Sequence, residues 1–404
     1  MAANTRRLIV LGSTGSIGRQ TLDVVEHLST IARSQGERTP IEIVGLAAGS
    51  RAADLSAQAS AHGVTHVALS NAESDALPAG LTAFTGDDAA ERLVREVEAD
   101  IVMAAVVGAA GLPATLAAVE LGRDVALANK ETLVAAGGLV VPAAERTGSR
   151  LLPVDSEHSA LWQCLHAIAG PEQAPPMRPP SHVSRLVLTA SGGPFRTATA
   201  DEVYNATPEQ ALAHPTWNMG PKVTIDCASL TNKALEVIEA HWLFGFGSDR
   251  LGVLVHPQSI VHSLIETIDG SVLAQLGISD MRLPIQFALT HPDRSPGHTP
   301  RLDLASLARL DFEAPDERRF PALALARWVI DQGGTAGAIF NAANEAAVEA
   351  FIDGRIPFGR IGELTRDACD AIAPAPLAAL GDALDADRRA RQHVREAMLA
   401  AGSR

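Results

Sequence analysis

Leu8-Ile9-Val10-Leu11-Gly12-Ser13-Thr14-Gly15-Ser16-Ile17-Gly18 sets a short apolar run directly against three glycines spaced G-x-x-G-x-x-G, and a helical pattern through Arg19, Leu22, Val25 and Glu26 follows. Glycine permits a tight turn and close backbone approach, so a dinucleotide pyrophosphate can lie on the helix N-terminus, where unpaired N–H groups point. A glycine cluster alone also suits an ordinary turn. Its position between the first strand and first helix of an alternating pattern is what favours a cofactor.

That alternation runs from residue 1 to about 154, where short β-branched runs (8–11, 41–46, 64–69, 101–107, 125–128 and 151–154) are separated by Ala-rich helical stretches. It predicts an α/β fold opening on a doubly wound, Rossmann-like parallel sheet. After a Pro-rich stretch at 170–180, residues 182–290 mix strand-like runs with Trp- and His-bearing polar loops, which places a second, central α+β domain at 155–290. A Pro-bearing linker at 291–301 leads to a largely helical C-terminal domain at 302–404.

The chain has 404 residues, 47% of them hydrophobic and 20% charged, enough for several cores. A formal net charge of -14 argues against nucleic acid or an anionic membrane as partner, though an anionic small molecule can still meet a local basic pocket. Cys164, Cys227 and Cys369 form no C-x-x-C pair, which suits a reducing cytoplasm better than a disulfide framework or a thiolate metal site. The apolar run 101–110 is half the length of a membrane helix, and the N-terminus lacks an export-type h-region.

Further residues carry chemistry. The second strand exits through Gly49-Ser50-Arg51 with no carboxylate to grip a ribose 2′-hydroxyl, so Arg51 and Ser50 suit a 2′-phosphate and the cofactor expected is NADPH; a solvated loop arginine is the alternative. Asn129-Lys130-Glu131 follows the fifth strand of the pattern at the ligand-binding edge, where Asn129 would equally serve as a helix cap. Asp155 and Glu157 would point the same way if the strand before them continues, and would then need a cation between them; an N-cap with an acidic first turn competes. In Asn232-Lys233-Ala234-Leu235-Glu236, helical spacing joins Asn232 and Lys233 to Glu236, as a surface ion pair also would. With Asp155 and Glu157, Glu236 would complete an all-oxygen set suited to Mg²⁺ or Mn²⁺. The loops at 191–195 and 214–220 carry Ser191, His214 and Trp217 among Gly and Pro, fit either for an anion site and a lid or for plain turns.

These residues resemble the 1-deoxy-D-xylulose 5-phosphate reductoisomerase family through GSTGSIG (12–18), ANKE (128–131), DSEHSA (155–160), SGGPF (191–195), HPTWNMGPK (214–222), NKALEVIEAHWLF (232–244), HPQSIVHS (256–263), SDMRLPIQFAL (279–289) and NAANEAAVEAF (341–351). The resemblance spans nearly the whole chain. It implies a V-shaped cytoplasmic homodimer that isomerises and reduces a phosphorylated sugar, 1-deoxy-D-xylulose 5-phosphate, to 2-C-methyl-D-erythritol 4-phosphate for isoprenoid synthesis. By motif, Asp155, Glu157 and Glu236 would bind the divalent metal, and Lys130, Glu157, His158, His214 and Lys233 would be catalytic. Lys130, Ser156, Glu157, Ser191, His214, Trp217, Cys227, Asn232, Lys233, Glu236 and Met281 would meet substrate. Thr14, Gly15, Ser16, Ile17, Gly49, Ser50, Arg51, Asn129, Glu131 and Gly220 would hold NADPH, with Met219 near the nicotinamide. Cys227 departs from the family pattern, which has a phosphate-binding Ser there; either the backbone N–H or Ser229 would take over that contact. A dehydrogenase without metal and a non-catalytic dinucleotide sensor are the competing functions, and neither needs the carboxylate set.

Overall fold

β1 (Arg6–Leu11) lies in the middle of its sheet, and its last four residues are completely buried, because parallel neighbours flank it and helices cover both faces. The computed structural model describes residues 5–71, 77–78, 80–217 and 219–402. Residues 1–4 of the N-terminal reading, Asn218 of the 214–222 stretch and residues 403–404 of the C-terminal one lie outside the described residues.

Six further strands complete the sheet: β2 (Ile41–Ala48), β3 (His66–Leu69), β4 (Thr82–Thr85), β5 (Ile101–Ala104), β6 (Asp124–Leu127) and β7 (Leu151–Pro153). All pair in parallel, in the order β4-β3-β2-β1-β5-β6-β7. The chain leaves β1 toward β2 on one side and returns to β5 on the other. Ligands bind open α/β sheets outside the carboxyl ends of strands at such a reversal, and the Gly12 turn sits there.

A second sheet has the order β11-β10-β8-β9, where β8 is Val183–Ala190, β9 Leu251–Val255, β10 Val261–Thr267 and β11 Val272–Leu276. β9 runs parallel to β8, whereas β10 is antiparallel to both β8 and β11. The sheet packs against the helix Ser156–Ala169 and the helix Thr231–Phe244. Beyond β11 the regular elements among the described residues are helices, but 291–321 is mostly irregular, with only the short helix Leu304–Leu307 and an antiparallel bridge from Glu313 to Val255 of β9. The helical C-terminal region starts in earnest at Ala322, and its helix Ala336–Ile352 packs on the helix Lys130–Thr147 of the first half.

Two sequence expectations are corrected. The run 101–107 is a strand only to Ala104, after which the backbone opens into the ligand edge of the sheet. The strand through 151–154 does not continue to Glu157: Pro153 ends it and a helix begins at Ser156. β4 was not foreseen.

Candidate active site

The turn after β1 requires its glycines. Gly12 has φ +76°, and a Cβ on Gly18 would sit 2.3 Å from the Gly12 carbonyl oxygen and 2.5 Å from Ser13 Cα. Outside groups brace the turn: Ser13 Oγ donates to Gln58 Oε1 at 2.8 Å, Gln58 Nε2 donates to the Ser13 carbonyl at 2.9 Å, and Arg19 Nε donates to the Thr14 carbonyl at 3.0 Å. The helix that follows, Ser16–Ser34, starts on Gly15 with no side-chain cap. An uncapped helix start on a close-packed glycine turn fits a dinucleotide pyrophosphate.

Asp155 caps the helix Ser156–Ala169 by accepting a bond from the Ser156 N–H at 2.9 Å through Oδ1. Its Oδ2 meets the Lys130 ammonium. One carboxylate thus serves as cap and site residue together. Glu157 follows in the first turn, and the helix Thr231–Phe244 brings in Asn232, Lys233 and Glu236. Ligand atoms of Asp155, Glu157 and Glu236 all lie within 4.8 Å of one another. Lys130 Nζ is 2.9 Å from Asn232 Oδ1 and 2.9 Å from Glu236 Oε1, while Lys233 Nζ is 2.6 Å from Glu157 Oε1 and also meets Glu236.

Three carboxylates against two ammonium groups leave one negative charge in a buried space, and the three acids offer only hard oxygen donors. That set fits a divalent Mg²⁺ or Mn²⁺ better than zinc. The electrostatics follow from burial. Desolvation would raise the Asp155 carboxyl, but Lys130 and neighbouring His158 and Lys233 hold it down at about 2. Glu236 goes the other way, raised by burial and by the nearby Glu157 charge despite both lysines. Both ammonium groups titrate above the ordinary lysine value, because their carboxylates outweigh the desolvation that opposes them.

These groups open onto a cavity of about 860 Å³ that reaches from the Gly15–Ile17 turn to the second sheet. Of the residues singled out by sequence, Gly15, Ser16, Ile17, Asn129, Lys130, Glu131, Asp155, Ser156, Glu157, Ser191, His214, Trp217, Met219, Gly220, Cys227, Asn232, Lys233, Glu236 and Met281 line it. Thr14, Gly49, Ser50, Arg51 and His158 are outside that lining. Thr14 is buried in the turn, and Gly49 to Arg51 lie beyond β2, with Arg51 exposed and 3.8 Å from Asp54. His158 is fully buried behind the carboxylates, its Nε2 2.8 Å from the Glu236 carbonyl and its Nδ1 3.3 Å from Glu239 Oε2.

Asn129 is a cap: Oδ1 accepts from the Thr132 N–H at 2.8 Å, and Nδ2 donates to the carbonyls of Val106 and Gly108, tying the loop after β5 to the helix Lys130–Thr147. His214 is held in its loop, Nδ1 accepting from the Trp217 N–H at 2.9 Å and Nε2 lying 3.1 Å from Ser191 Oγ. Burial pushes the Cys227 thiol up and Glu236 adds to it, so it presents a neutral S–H. Ser229 is occupied locally, donating to Thr231 Oγ1 at 2.8 Å, and it does not line the cavity. The suggestion that Ser229 replaces the missing hydroxyl is therefore dropped.

Sequence reasoning assigned nothing to Lys222, Glu239 or His262. Lys222 and His262 line the cavity, and burial pulls His262 down to about 4. Glu239 forms with Asp155 and His158 a second buried acid and imidazole group behind the first. Its signal was present: it continues the helical face of Asn232 and Glu236.

Comparison with known proteins agrees with this geometry. Sequence models described as 1-deoxy-D-xylulose 5-phosphate reductoisomerase match residues 8–137, its C-terminal domain 151–244, and DXP reductoisomerase C-terminal domain 276–393. The 1-deoxy-D-xylulose 5-phosphate reductoisomerase of Mycobacterium avium (strain 104) is 50% identical over 399 residues, covering 97% of this chain and 93% of that protein. That of Pelotomaculum thermopropionicum is 46% identical over 393 residues, covering 96% and 97%. Among solved structures, the enzyme from Zymomonas mobilis in complex with NADPH superimposes with a TM-score of 0.87 at 40% identity, over 98% of this chain and 99% of that one. A DOX-P reductoisomerase in complex with NADPH, fosmidomycin and magnesium gives 0.86 at 34% identity, over 97% and 98%. With a glycine-turned parallel sheet, a second sheet and a helical C-terminal region in the same order, the chain belongs to the 1-deoxy-D-xylulose 5-phosphate reductoisomerase family.

Proposed function

We propose that this protein isomerises 1-deoxy-D-xylulose 5-phosphate and reduces the product to 2-C-methyl-D-erythritol 4-phosphate, with NADPH and a divalent metal. The observation that carries the reading is the convergence of Asp155, Glu157 and Glu236 with Lys130 and Lys233 in one cavity with the uncapped helix start at Gly15. When bound, NADPH supplies the hydride and the metal supplies Lewis acidity.

The chain's own residues do the rest. Asp155, Glu157 and Glu236 are the metal ligands in this reading. Lys130, fixed by Asn232 and Glu236, keeps positive charge beside the substrate oxygens on which negative charge develops. Lys233, Asn232, Ser191 and the Cys227 region take the phosphate, a remote grip that orients the reacting end. Trp217 and His214 close over the substrate and exclude water, and Met281 lines the same cavity. Thr14 through Ile17, Gly49 through Arg51, Asn129, Glu131 and Gly220 hold the cofactor, with Arg51 on its 2′-phosphate. His158 acts through its contact with the Glu236 carbonyl.

Protein stripped with EDTA is expected to leave NADPH unoxidised in the presence of 1-deoxy-D-xylulose 5-phosphate and to regain turnover on adding Mg²⁺ or Mn²⁺. Equal oxidation with and without metal would point to a simple dehydrogenase and end this reading. We divide the chain functionally into 1–154, 155–290 and 302–404, joined by 291–301. The protein also acts, in this reading, as a homodimer: β11 ends its sheet, and Ile268 and Val272 beside and on it are exposed. Sedimentation giving a monomer mass at micromolar concentration would refute that. No helix among the described residues is long and apolar enough to cross a membrane. The three free cysteines agree with a cytoplasmic setting.

A further inference from the structure

Glu131 stands in the first turn of the helix Lys130–Thr147 and lines the cavity, yet it is 5% exposed. A buried carboxylate beside an anionic dinucleotide needs a counter-charge, or it is protonated or repels the ligand. Lys222 provides it, with Nζ 2.7 Å from Glu131 Oε1. The same ammonium is 3.0 Å from Asp226 Oδ2, one turn further along the helix Pro221–Ala228. Asp226 Oδ1 in turn accepts from Asn344 Nδ2 at 2.8 Å, from the helix Ala336–Ile352. Lys222 therefore cannot drift: two carboxylates on different elements fix its position, and one of them is anchored to a third helix.

We propose that Lys222 is a positioning residue for the cofactor, holding the Glu131 carboxylate ionised and oriented in the cavity wall so that it accepts hydrogen bonds from a ribose hydroxyl or carboxamide of the dinucleotide. This rests on the reading that NADPH occupies the cavity. The physical consequence is specific. Lys222 lines the cavity as well, so action through Glu131 and direct contact with the cofactor differ in outcome: on the first, its removal matters only while Glu131 carries a charge to be held, and on the second it matters in either state of Glu131.

The test is calorimetric titration of NADPH into metal-free protein, which does not depend on turnover. Lys222→Met is expected to weaken NADPH binding at least tenfold relative to the unsubstituted protein. In a Glu131→Gln background the same substitution is expected to change affinity less than threefold. A lysine that merely held the fold together would cost the same in both backgrounds, and that result overturns the proposal, as does a Lys222→Met affinity within twofold of the unsubstituted protein. If Lys222→Met shows no cooperative melt, Lys222→Gln takes its place, since an amide still donates one bond; a loss of about fivefold, erased by Glu131→Gln, is then expected, and a loss equal in both backgrounds overturns the proposal. Unsubstituted protein that fails to bind NADPH overturns the functional reading itself, whereas normal binding there with no Lys222 effect overturns this inference alone.

Discussion

Glu236→Gln is expected to lower metal-dependent turnover by at least about a thousandfold, a loss of about 4 kcal/mol in transition-state stabilisation, while the folded protein melts close to its original temperature. The charge count separates the two effects. Without metal the cluster holds three carboxylates and two ammonium groups, Lys130 paired with Asp155 and Glu236, Lys233 with Glu157 and Glu236. Replacing the shared acid by its isosteric amide leaves two matched pairs, so no buried charge is stranded, which is the usual reason that breaking a buried pair costs about 3–5 kcal/mol. The amide oxygen can still accept from Lys130 and Asn232, whereas the N–H₂ meets the Lys233 ammonium, itself a donor, so that one contact is lost and Lys233 keeps Glu157 as its partner. A divalent ion, however, loses one of three anionic donors at a site where two ammonium groups already compete for the rest. The measurements are turnover across a Mg²⁺ titration, a thermal melt and NADPH titration. Turnover within tenfold of the unsubstituted protein at saturating Mg²⁺ would remove Glu236 from the metal set, and a collapsed melt would show that its role is in the fold.

The site was legible wherever its chemistry is local in sequence. Helical spacing alone joined Asn232 and Lys233 to Glu236, and the structure has both contacts. Asp155 and Glu157 pair for a different local reason from a continuing strand with alternating side chains: the ladder ends where the Val154 N–H donates to the Leu127 carbonyl at 2.9 Å, and Asp155 then caps a helix that starts at Ser156. The two acids still converge on Glu236, because a cap residue and a first-turn residue of one helix both face its N-terminal end. Lys222 was not legible. Its spacing to Asp226 is helical, but its other partner, Glu131, is 91 positions away, and only the packing of three helices brings them together.

The fold shows the same division. β1 and β5, completely apolar over their buried residues, declare themselves as central parallel strands. β4 reads Thr-Ala-Phe-Thr with only Phe84 buried, too short and too polar for a strand signal, and it occupies the sheet's edge, where one face and one side need no cover. Position in the sheet decided which strands could be read.

Gly337→Ala is expected to destabilise the protein by about 3 kcal/mol or more and to cut kcat/KM by about tenfold or more, because a displacement of about 1 Å far from the chemistry can cost about a hundredfold. Gly337 lies near the start of the helix Ala336–Ile352, where a Cβ would stand 1.9 Å from the Val134 carbonyl oxygen and 3.0 Å from its carbon. Both are backbone atoms, so no rotamer change relieves the clash and the two helices must part. Val134 lies four residues after Lys130 on the helix Lys130–Thr147, which is kinked at Ala136, so pushing that segment moves the ammonium group shared by Asp155 and Glu236. Asn344 rides on the other helix and would carry Asp226 with it. Gly381→Ala is the control, since a Cβ there meets nothing within 4 Å and lies in the first turn of the helix Leu380–Gly402; the added methyl should leave stability within about 1 kcal/mol of the original. A circular-dichroism melt and steady-state kinetics on both variants decide the matter. If Gly337→Ala melts with Gly381→Ala and turns over normally, the contact between these helices is looser than the 1.9 Å approach demands, and the C-terminal helices cannot be what holds Lys130 in place.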